Sequence, residues 1–189
     1  MAKIGFKAIH MIVPTVAKDA TTYTTYTLDK AKGGAIEASI SGLGAEPTIV
    51  YASNVPFYVS AKGTGETTVE FNTFDIMAGG AYNAVLGIET VEGINVVGEN
   101  TEAPYISIVF ESQNADGDTV YMGLTKVRLA HPDIALNTSE GGGTEPNTDT
   151  LSGSAISDAR GYVYATAVGS ETMTLDKFTK FVSSQSPSV

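Results

Sequence analysis

The chain has 189 residues, of which 42% are hydrophobic and 17% charged, and 21 acidic against 11 basic residues give a formal net charge of -10. This length suits one domain with a self-sufficient core. The charge argues against a surface that grips nucleic acid or an anionic membrane, since both need clustered Lys and Arg. Because there is no cysteine, disulfides, thiolate metal sites and thiol nucleophiles are excluded.

The N-terminal region, residues 1–33, predicts a strand followed by an exposed arm. The run KIGFKAIHMIV is strand-like and becomes apolar on both faces near its end, which indicates burial on both sides. We expect a strand here rather than a signal peptide, because the apolar run is short and no small-residue cleavage site follows it. The Thr- and Tyr-rich stretch after it is typical of an exposed strand or ribbon. No segment approaches the ~20 apolar residues of a membrane span.

Alternating polarity dominates the next part of the chain. In AIEASIS, the apolar residues Ile36, Ala38 and Ile40 alternate with polar ones, and TTVEFNTF and PYISIVFE follow the same pattern. This period of two predicts antiparallel strands with one wetter face. PTIVYAS and VPFYVSA are also strand-like and are separated by the break SNVP at 53–56. ADGD at 115–118 lies between two strong strands and predicts a hairpin turn.

Two segments favour helices instead. TFDIMAGGAYNAVLGIE places Phe74, Met77, Ala81, Ala84 or Val85, and Ile88 near one helical stripe, with Thr73 or Asp75 as a possible cap. Gly79 and Gly80 each cost such a helix about 1 kcal/mol relative to Ala, so it needs tertiary packing. Near the C-terminus, TLDKFTKFV predicts a short helix capped by Thr174, with Leu175, Phe178 and Val182 on one side and Phe181 beside them. A frayed tail follows it.

Together these elements predict a mainly β (α+β) fold in a single domain spanning residues 1–189. We expect an antiparallel β-sandwich or open barrel with one flanking α-helix, extended loops and terminal arms. Residues 1–33 supply an N-terminal strand and arm, and residues 174–189 a short C-terminal helix and tail.

The two histidines are the first candidates for catalytic or metal-binding chemistry. His10 lies in an apolar strand, and His131 precedes Pro132 at the end of another. Nothing in their spacing brings them together, so we expect structural roles for both. Without a Cys/His cluster, a zinc site would need carboxylates in an arrangement that the sequence does not show.

Three further patterns are better explained by turns or surface acids. The triplet Asp116–Asp118 lacks the other oxygen ligands of a calcium loop. GTGETT lacks the GK[ST] of a phosphate loop and is followed by a strand rather than a helix. Glu89 and Glu92 have no pocket signal that would make them glycosidase carboxylates. We therefore expect no enzyme, and no catalytic residue, cofactor or metal.

The polar insert NTSEGGGTEPNTDT, residues 137–150, is long for a connection inside a compact domain, and such loops are usually functional or disordered. Its three carboxylates are spread among glycines and make a poor metal cage. We predict a surface excursion that faces a partner. The candidate contact residues are Asn137, Thr138, Ser139, Glu140, Gly141, Gly142, Gly143, Thr144, Glu145, Pro146, Asn147, Thr148, Asp149 and Thr150.

The order of motifs carries more information than any one of them. A Pro-Tyr strand, a DG hairpin, a strand ending LTKVRL before a proline, a Thr/Glu/Pro loop and TLSGSA follow one another. In this order they resemble the major tail proteins of long-tailed phages of Gram-positive bacteria, the tail tube subunits of flexible, non-contractile tails. GAIEASIS, TIVYASN and AKGTGETTVEF look like the first-half strands of that family, and AYNAVLGIETVEG resembles its helix and Gly-containing turn. The resemblance covers roughly residues 30 to 170, and HMIVPTVAKDATTYTTYT matches least.

The resemblance implies a tail-tube-like β-sandwich or barrel whose copies form homohexameric rings that stack into a hollow tube. The implied partners are other copies, a tape-measure protein and the proteins that close the tail ends, with no membrane. Phage DNA would pass through the lumen during genome ejection without specific binding. Six copies at -10 each give about -60 per ring, a charge that would repel phosphate. The protein would be a virion component assembled in the host cytoplasm, and residues 137–150 and the terminal arms would carry ring-to-ring contacts.

Two alternatives remain open from the sequence. One is another ring-forming tail protein, a terminator or a distal tail protein, which would form a single ring. The other is a β-sandwich module that binds carbohydrate or acts as an adhesin. Such a module needs an exposed aromatic platform, which Tyr23 and Tyr26, or Tyr162 and Tyr164, could supply.

Overall fold

The computed structural model describes residues 3–15, 23–52, 54–77, 80–134 and 148–184. Within these ranges the chain forms twelve strands and two helices. They are β1 (Lys3–Pro14), β2 (Tyr23–Leu28), β3 (Ala35–Ser41), β4 (Thr48–Ala52), β5 (Val55–Ser60), β6 (Thr67–Thr73), α1 (Ala81–Leu86), β7 (Glu89–Val91), β8 (Ile94–Val96), β9 (Ile106–Asn114), β10 (Thr119–Leu129), β11 (Asp149–Ala155), β12 (Tyr164–Val168) and α2 (Leu175–Ser183).

Eight strands pair into one antiparallel sheet in the order β2-β1-β9-β10-β11-β6-β3, with β12 attached to β10. Strand β10 is the branch point, because Val120–Leu124 pair with β12 while Val127–Leu129 pair with β11. Strands β1 and β3, which stand far apart in the strand order, lie in contact. The sheet therefore curls back on itself as a sandwich, and no closed barrel forms among the described residues. This confirms the predicted mainly β architecture.

The sheet has buried residues on both faces. Ile9 and Met11 of β1 pack in the main core with Phe71 and Phe110, whereas Ile12 points into a smaller cluster beneath α2. The prediction that the end of β1 is covered on both sides is confirmed. Burying each large apolar side chain contributes about 1.5–3 kcal/mol, so the central strands anchor the fold.

Helix α1 is shorter than the sequence suggested. It begins after Gly80, whose φ of 75° is left-handed, and it has no side-chain cap. The prediction that Phe74 and Met77 belong to the helical stripe, capped by Thr73 or Asp75, is wrong. Phe74 and Met77 are 54% and 63% exposed, and the Asp75 carboxylate accepts the Met77 N–H at 2.8 Å in a local turn. The left-handed residue interrupts the helical path, which overrides the apolar spacing.

Helix α2 forms as predicted. Thr174 is its N-cap and its hydroxyl accepts the Lys177 N–H at 3.3 Å. Phe178 and Val182 are buried against β9 and β10, while Phe181 is exposed and stacks on Tyr162 at 6.1 Å between ring centroids. The tail at 185–189 lies outside the described residues.

Candidate assembly surfaces

Strands β4 and β5 form a projecting hairpin, residues 48–60, that pairs with no other strand among the described residues. Both of its faces are apolar: the pair Ile49–Val59 and the pair Val50–Tyr58 stand side by side in the register. Phe57 is 77% exposed, and Tyr51 is 64% exposed. A two-stranded hairpin alone is marginally stable in water, so contact with another surface would stabilise this segment.

The base of the projecting hairpin is held firmly. The chain leaves β3 at Gly42, whose φ is 72° and where an added Cβ would collide with the Glu66 carbonyl. Thr67, the first residue of β6, donates from its hydroxyl to the Gly42 carbonyl at 3.1 Å. The two ends of the excursion are thus pinned together where β3 and β6 pair. The close approach requires glycine at 42, and it directs the hairpin away from a rigid point of the sheet.

The apolar surface of the hairpin is large for a single copy. Its exposed side chains are Ile49, Val50, Tyr51, Val55, Phe57, Tyr58 and Val59. Since an aromatic side chain presents 150–250 Å² when fully exposed, these seven amount to about 700 Å². The largest apolar patch on a typical monomer is roughly 300–600 Å², and larger ones mark interaction sites. No charged residue lies between Thr48 and Ala61.

An open groove of about 510 Å³ separates the two layers beside β3. Ile36, Ala38 and Ile40 form its β3 side, and Phe6, Phe110 and Met122 lie opposite. Ile36 and Ala38 are exposed, although Ala38 lies opposite the buried Phe71 and therefore on the core face of the sheet. The predicted alternation of β3 is confirmed from Glu37 to Ser41, whereas a bulge interrupts it at Ile36, and the apolar face is only partly covered.

A second exposed apolar hairpin, β7–β8, follows α1. Val91, Ile94 and Val96 are exposed, and the hairpin is tied to the helix through Asn83, whose Nδ2 donates to Asn95 Oδ1 at 2.7 Å. Thr90 also donates to Asn95 Oδ1. This surface is smaller, and unlike the projecting hairpin it is tied to a neighbouring helix.

The candidate contact loop lies mostly outside the described residues, which resume at Thr148. Asp149 and Thr150 belong to strand β11, so the predicted insert ends too late by these two residues. Asp149 Oδ2 accepts the Ile76 N–H at 3.0 Å, and Thr150 donates to Asn72 Oδ1 at 2.5 Å. Both side chains therefore fasten the end of the insert to the β6 region.

The two histidines occupy separate environments. His10 Nδ1 lies 3.0 Å from Thr27 Oγ1, and its Nε2 lies 3.5 Å from Glu111 Oε2. Burial lowers the pKa of His10, although Glu111 opposes the change. His131 contacts Tyr82 instead, with 3.1 Å between Nε2 and the phenol oxygen. Each histidine has partners that explain it structurally, and neither faces the open groove.

The remaining sequence candidates are structural as well. Asn114 Oδ1 accepts the backbone N–H groups of Asp116 and Asp118 at 3.0 and 2.8 Å, which makes ADGD the predicted hairpin turn. Of the proposed aromatic platform, Tyr23 donates to the Ser183 carbonyl at 2.8 Å, and Tyr26 and Tyr164 pack against the main core. Only Tyr162 of the four is exposed. These four tyrosines do not form one open platform.

Across the described parts of the chain, no three His, Asp or Glu side chains come together as a metal site requires. No helix of these parts is long and apolar enough to cross a membrane.

Sequence reasoning identified the strands of the projecting hairpin but not its role. The available signal was the absence of charge from 48 to 61 together with apolar residues at both alternating phases. In an acidic chain, a strand pair that is apolar on both faces is either buried in its own core or covered by another molecule.

Comparison with known proteins identifies one family across almost the whole chain. The family model described as phage tail tube protein matches residues 7–186. A comparison with curated proteins finds no match. Members of this family are structural components of the phage tail, and an uncovered apolar hairpin on an acidic sandwich is the kind of surface that a self-assembling subunit needs. The chain belongs to the phage tail tube protein family and is a structural virion protein that self-assembles into a tube with other tail components.

Proposed function

We propose that this protein is the major tail tube subunit, and that its copies form homohexameric rings that stack into a hollow tube through which phage DNA passes. The observation that supports self-assembly most directly is the projecting hairpin. Its apolar surface of about 700 Å² is close to the ~800 Å² per partner that a standard protein interface buries. A surface of this size needs a partner in the assembled virion.

The acidic composition supports the conduit role. With 21 acidic against 11 basic residues, a lumen wall made of this chain would carry negative charge and repel phosphate. Cationic contacts to phosphate would instead hold the DNA back in a salt-sensitive way. The further partners in this proposal are a tape-measure protein inside the growing tube and the proteins that close its ends. Assembly takes place in the host cytoplasm. Each subunit contributes one continuous domain.

Electron microscopy of the concentrated protein in negative stain tests the proposal. Stacked tubes are the expected result. Single rings would favour a terminator or distal tail protein, and dispersed monomers would favour a binding module; either outcome overturns the tube assignment.

Substitutions in the projecting hairpin sharpen the test. Phe57→Ser combined with Tyr58→Ser removes two of its largest exposed rings, and we expect the loss of tubes with unchanged far-UV circular dichroism. Phe57→Tyr keeps the aromatic surface and is the matched control, which should assemble normally. Normal tubes from the double variant would show that the hairpin is not an assembly contact.

We also propose that the insert at 137–150 contacts a neighbouring subunit. Its length and its pinned end at Asp149 support this role. Deleting residues 139–147 leaves the β11 pairing in place, and we expect fewer or shorter tubes. Tubes of normal yield and length from the deletion would exclude the loop from the contacts.

A further inference from the structure

The open groove is an unfilled part of the core. In the register, Ala38 lies opposite Phe71 and Ile40 opposite Val69, and both partners are buried. The apolar side chains of β3 therefore point to the same side as the core residues of β6. They lack cover because the open groove separates them from Phe6, Phe110 and Met122 on the facing layer. Ala38 and Ile40 follow the alternation of a strand packed against another apolar layer, and Ile36, at the bulge of β3, also lines the groove.

Each copy thus carries two uncovered apolar surfaces of opposite shape, the projecting hairpin and the concave groove. We propose that the open groove of one copy receives the projecting hairpin of a second copy. This inference rests on the self-assembly proposed above and names the surface that accepts the hairpin.

Charge favours this pairing over others. Copies that each carry -10 repel one another unless they meet through charge-poor surfaces. The hairpin has no charged residue from Thr48 to Ser60. Among the residues that line the groove, the one charged side chain is Glu37, which accepts a hydrogen bond from Asn72 at 2.5 Å. Glu37 lies opposite Asn72 in the register and is exposed, so its carboxylate can stay in water when the two surfaces meet.

The different shapes of the two surfaces favour a head-to-tail contact between copies. Because the projecting and receiving surfaces differ, the contact is heterologous, and such contacts generate closed rings or open filaments rather than isolated pairs. Every copy in the interior of an assembly then has its hairpin covered and its groove filled. In an open filament, only the copies at the two ends keep an uncovered hairpin or an empty groove.

Cross-linking between copies tests the pairing. The chain has no native cysteine, so each introduced thiol is unique. Val59→Cys marks the hairpin and Ala38→Cys marks the groove, and both changes are small enough to preserve assembly. The two variants are mixed, assembled and treated with a short bismaleimide. We expect a cross-linked dimer that is missing when either variant is used alone.

The matched control is Ser39→Cys, which lies next to Ala38 but on the opposite face of β3, opposite Glu70. Mixed with Val59→Cys, it should give no dimer. If tubes form but the Ala38 pair cross-links no better than the Ser39 pair, the groove is not the receiving surface, and the tube assignment is unaffected. If the unaltered protein forms no tubes, the proposed function itself fails.

Two further experiments test whether the groove is filled by the hairpin of its own chain and whether assembly needs the groove. The chain begins its excursion beside its own groove at Leu43, so a single chain carrying both Ala38→Cys and Val59→Cys is treated while dilute and monomeric. Cross-linking within that monomer would mean that the hairpin fills its own groove, which overturns the proposal. Ala38→Arg should abolish tubes while Ser39→Arg assembles, and normal assembly of the Ala38→Arg variant would also overturn it.

Discussion

Gly123 is the residue on which the docking of α2 depends. It lies in β10 directly below the helix, and an added Cβ would be 2.6 Å from Val182 Cγ2 and 3.1 Å from Phe178 Cε1. Real Cβ atoms essentially never come within 3.0 Å of another heavy atom, so in Gly123→Ala either the Val182 side chain or the helix that carries it has to shift. Both helix residues are fully packed against Tyr121 and the sheet. We expect the substitution to destabilise the fold even though Ala is a better strand residue than Gly.

The magnitude follows from overpacking, which costs about 1–3 kcal/mol per inserted group. For a chain of this size, each kcal/mol lowers the melting temperature by roughly 2–4 °C. We therefore expect Gly123→Ala to lower it by about 4–8 °C at a cost near 2 kcal/mol. Near-UV circular dichroism should also change, because Tyr121 stacks on Phe178 with 5.7 Å between ring centroids.

A double substitution isolates the contact. Val182→Ala removes the two methyl groups that the new Cβ would meet, and alone it costs about 1.5 kcal/mol at ~0.8 kcal/mol per buried carbon. Combined with Gly123→Ala, it should be less destabilising than the two separate costs together by about 1–2 kcal/mol. Urea unfolding of the monomeric fraction measures all three variants without interference from assembly.

Gly98→Ala is the matched control, because an added Cβ there meets no atom within 4 Å. It should leave stability unchanged or slightly raised. Gly123 is not a tight contact of α2 if Gly123→Ala unfolds at the same urea concentration as the unaltered protein, or if the two costs in the double variant simply add.

Two further predictions concern pH and a buried ion pair. Burial lowers the pKa of His10 below its ordinary value of about 6.5, so the unfolded chain binds more protons below that pH and stability should fall as the pH drops from about 6.5. In a plot of the urea unfolding midpoint against pH, His10→Gln should reduce the slope below about pH 6.5. Lys180→Gln, which removes an exposed ion pair, should leave that slope unchanged. For Asp158, burial alone would raise the pKa, but hydrogen bonds from Tyr162 and Arg160 lower it overall, so its stabilisation is present above about pH 4 and is lost as the pH falls through the lowered value. Asp158→Asn leaves Arg160 buried without its carboxylate and should cost about 3 kcal/mol at pH 7 by urea unfolding; a loss as small as that of an exposed pair would contradict this.

Local signals account for the parts of the fold that were predictable. The cap and apolar stripe of α2 lie within one segment, from Thr174 to Val182. The ADGD turn is set by its neighbour Asn114, whose side chain bonds to two turn amides. Period-two alternation placed β3, β6 and β9 correctly. In each case the residues that decide the structure are within about ten positions of one another.

What failed or was missed depends on distant parts of the chain. The stripe from Phe74 predicted a long helix, but the left-handed turn at Gly80 ends it on that side. The apolar residues Ile36 and Ala38 resemble those of any core strand, but the open groove separates them from Phe110 and Met122 on the facing layer and leaves them exposed. Whether a strand is covered is a property of the tertiary arrangement, so the sequence could indicate the apolar faces but not which of them stay open.

The charge of the chain explains why the open surfaces would be confined to a hairpin and a groove. In the proposed assembly, hundreds of acidic groups lie in one particle, and at physiological ionic strength their repulsion decays over a Debye length of about 8 Å. Repulsion between the acidic surfaces therefore falls steeply if contacts are made by a segment that projects beyond them. The projecting hairpin meets that requirement, because it is uncharged from Thr48 to Ala61, and the excursion that carries it leaves the sheet at Gly42, where Thr67 holds its two ends together. A flat apolar patch on the sheet itself would bring the acidic faces of two copies together at short range, where screening is weakest.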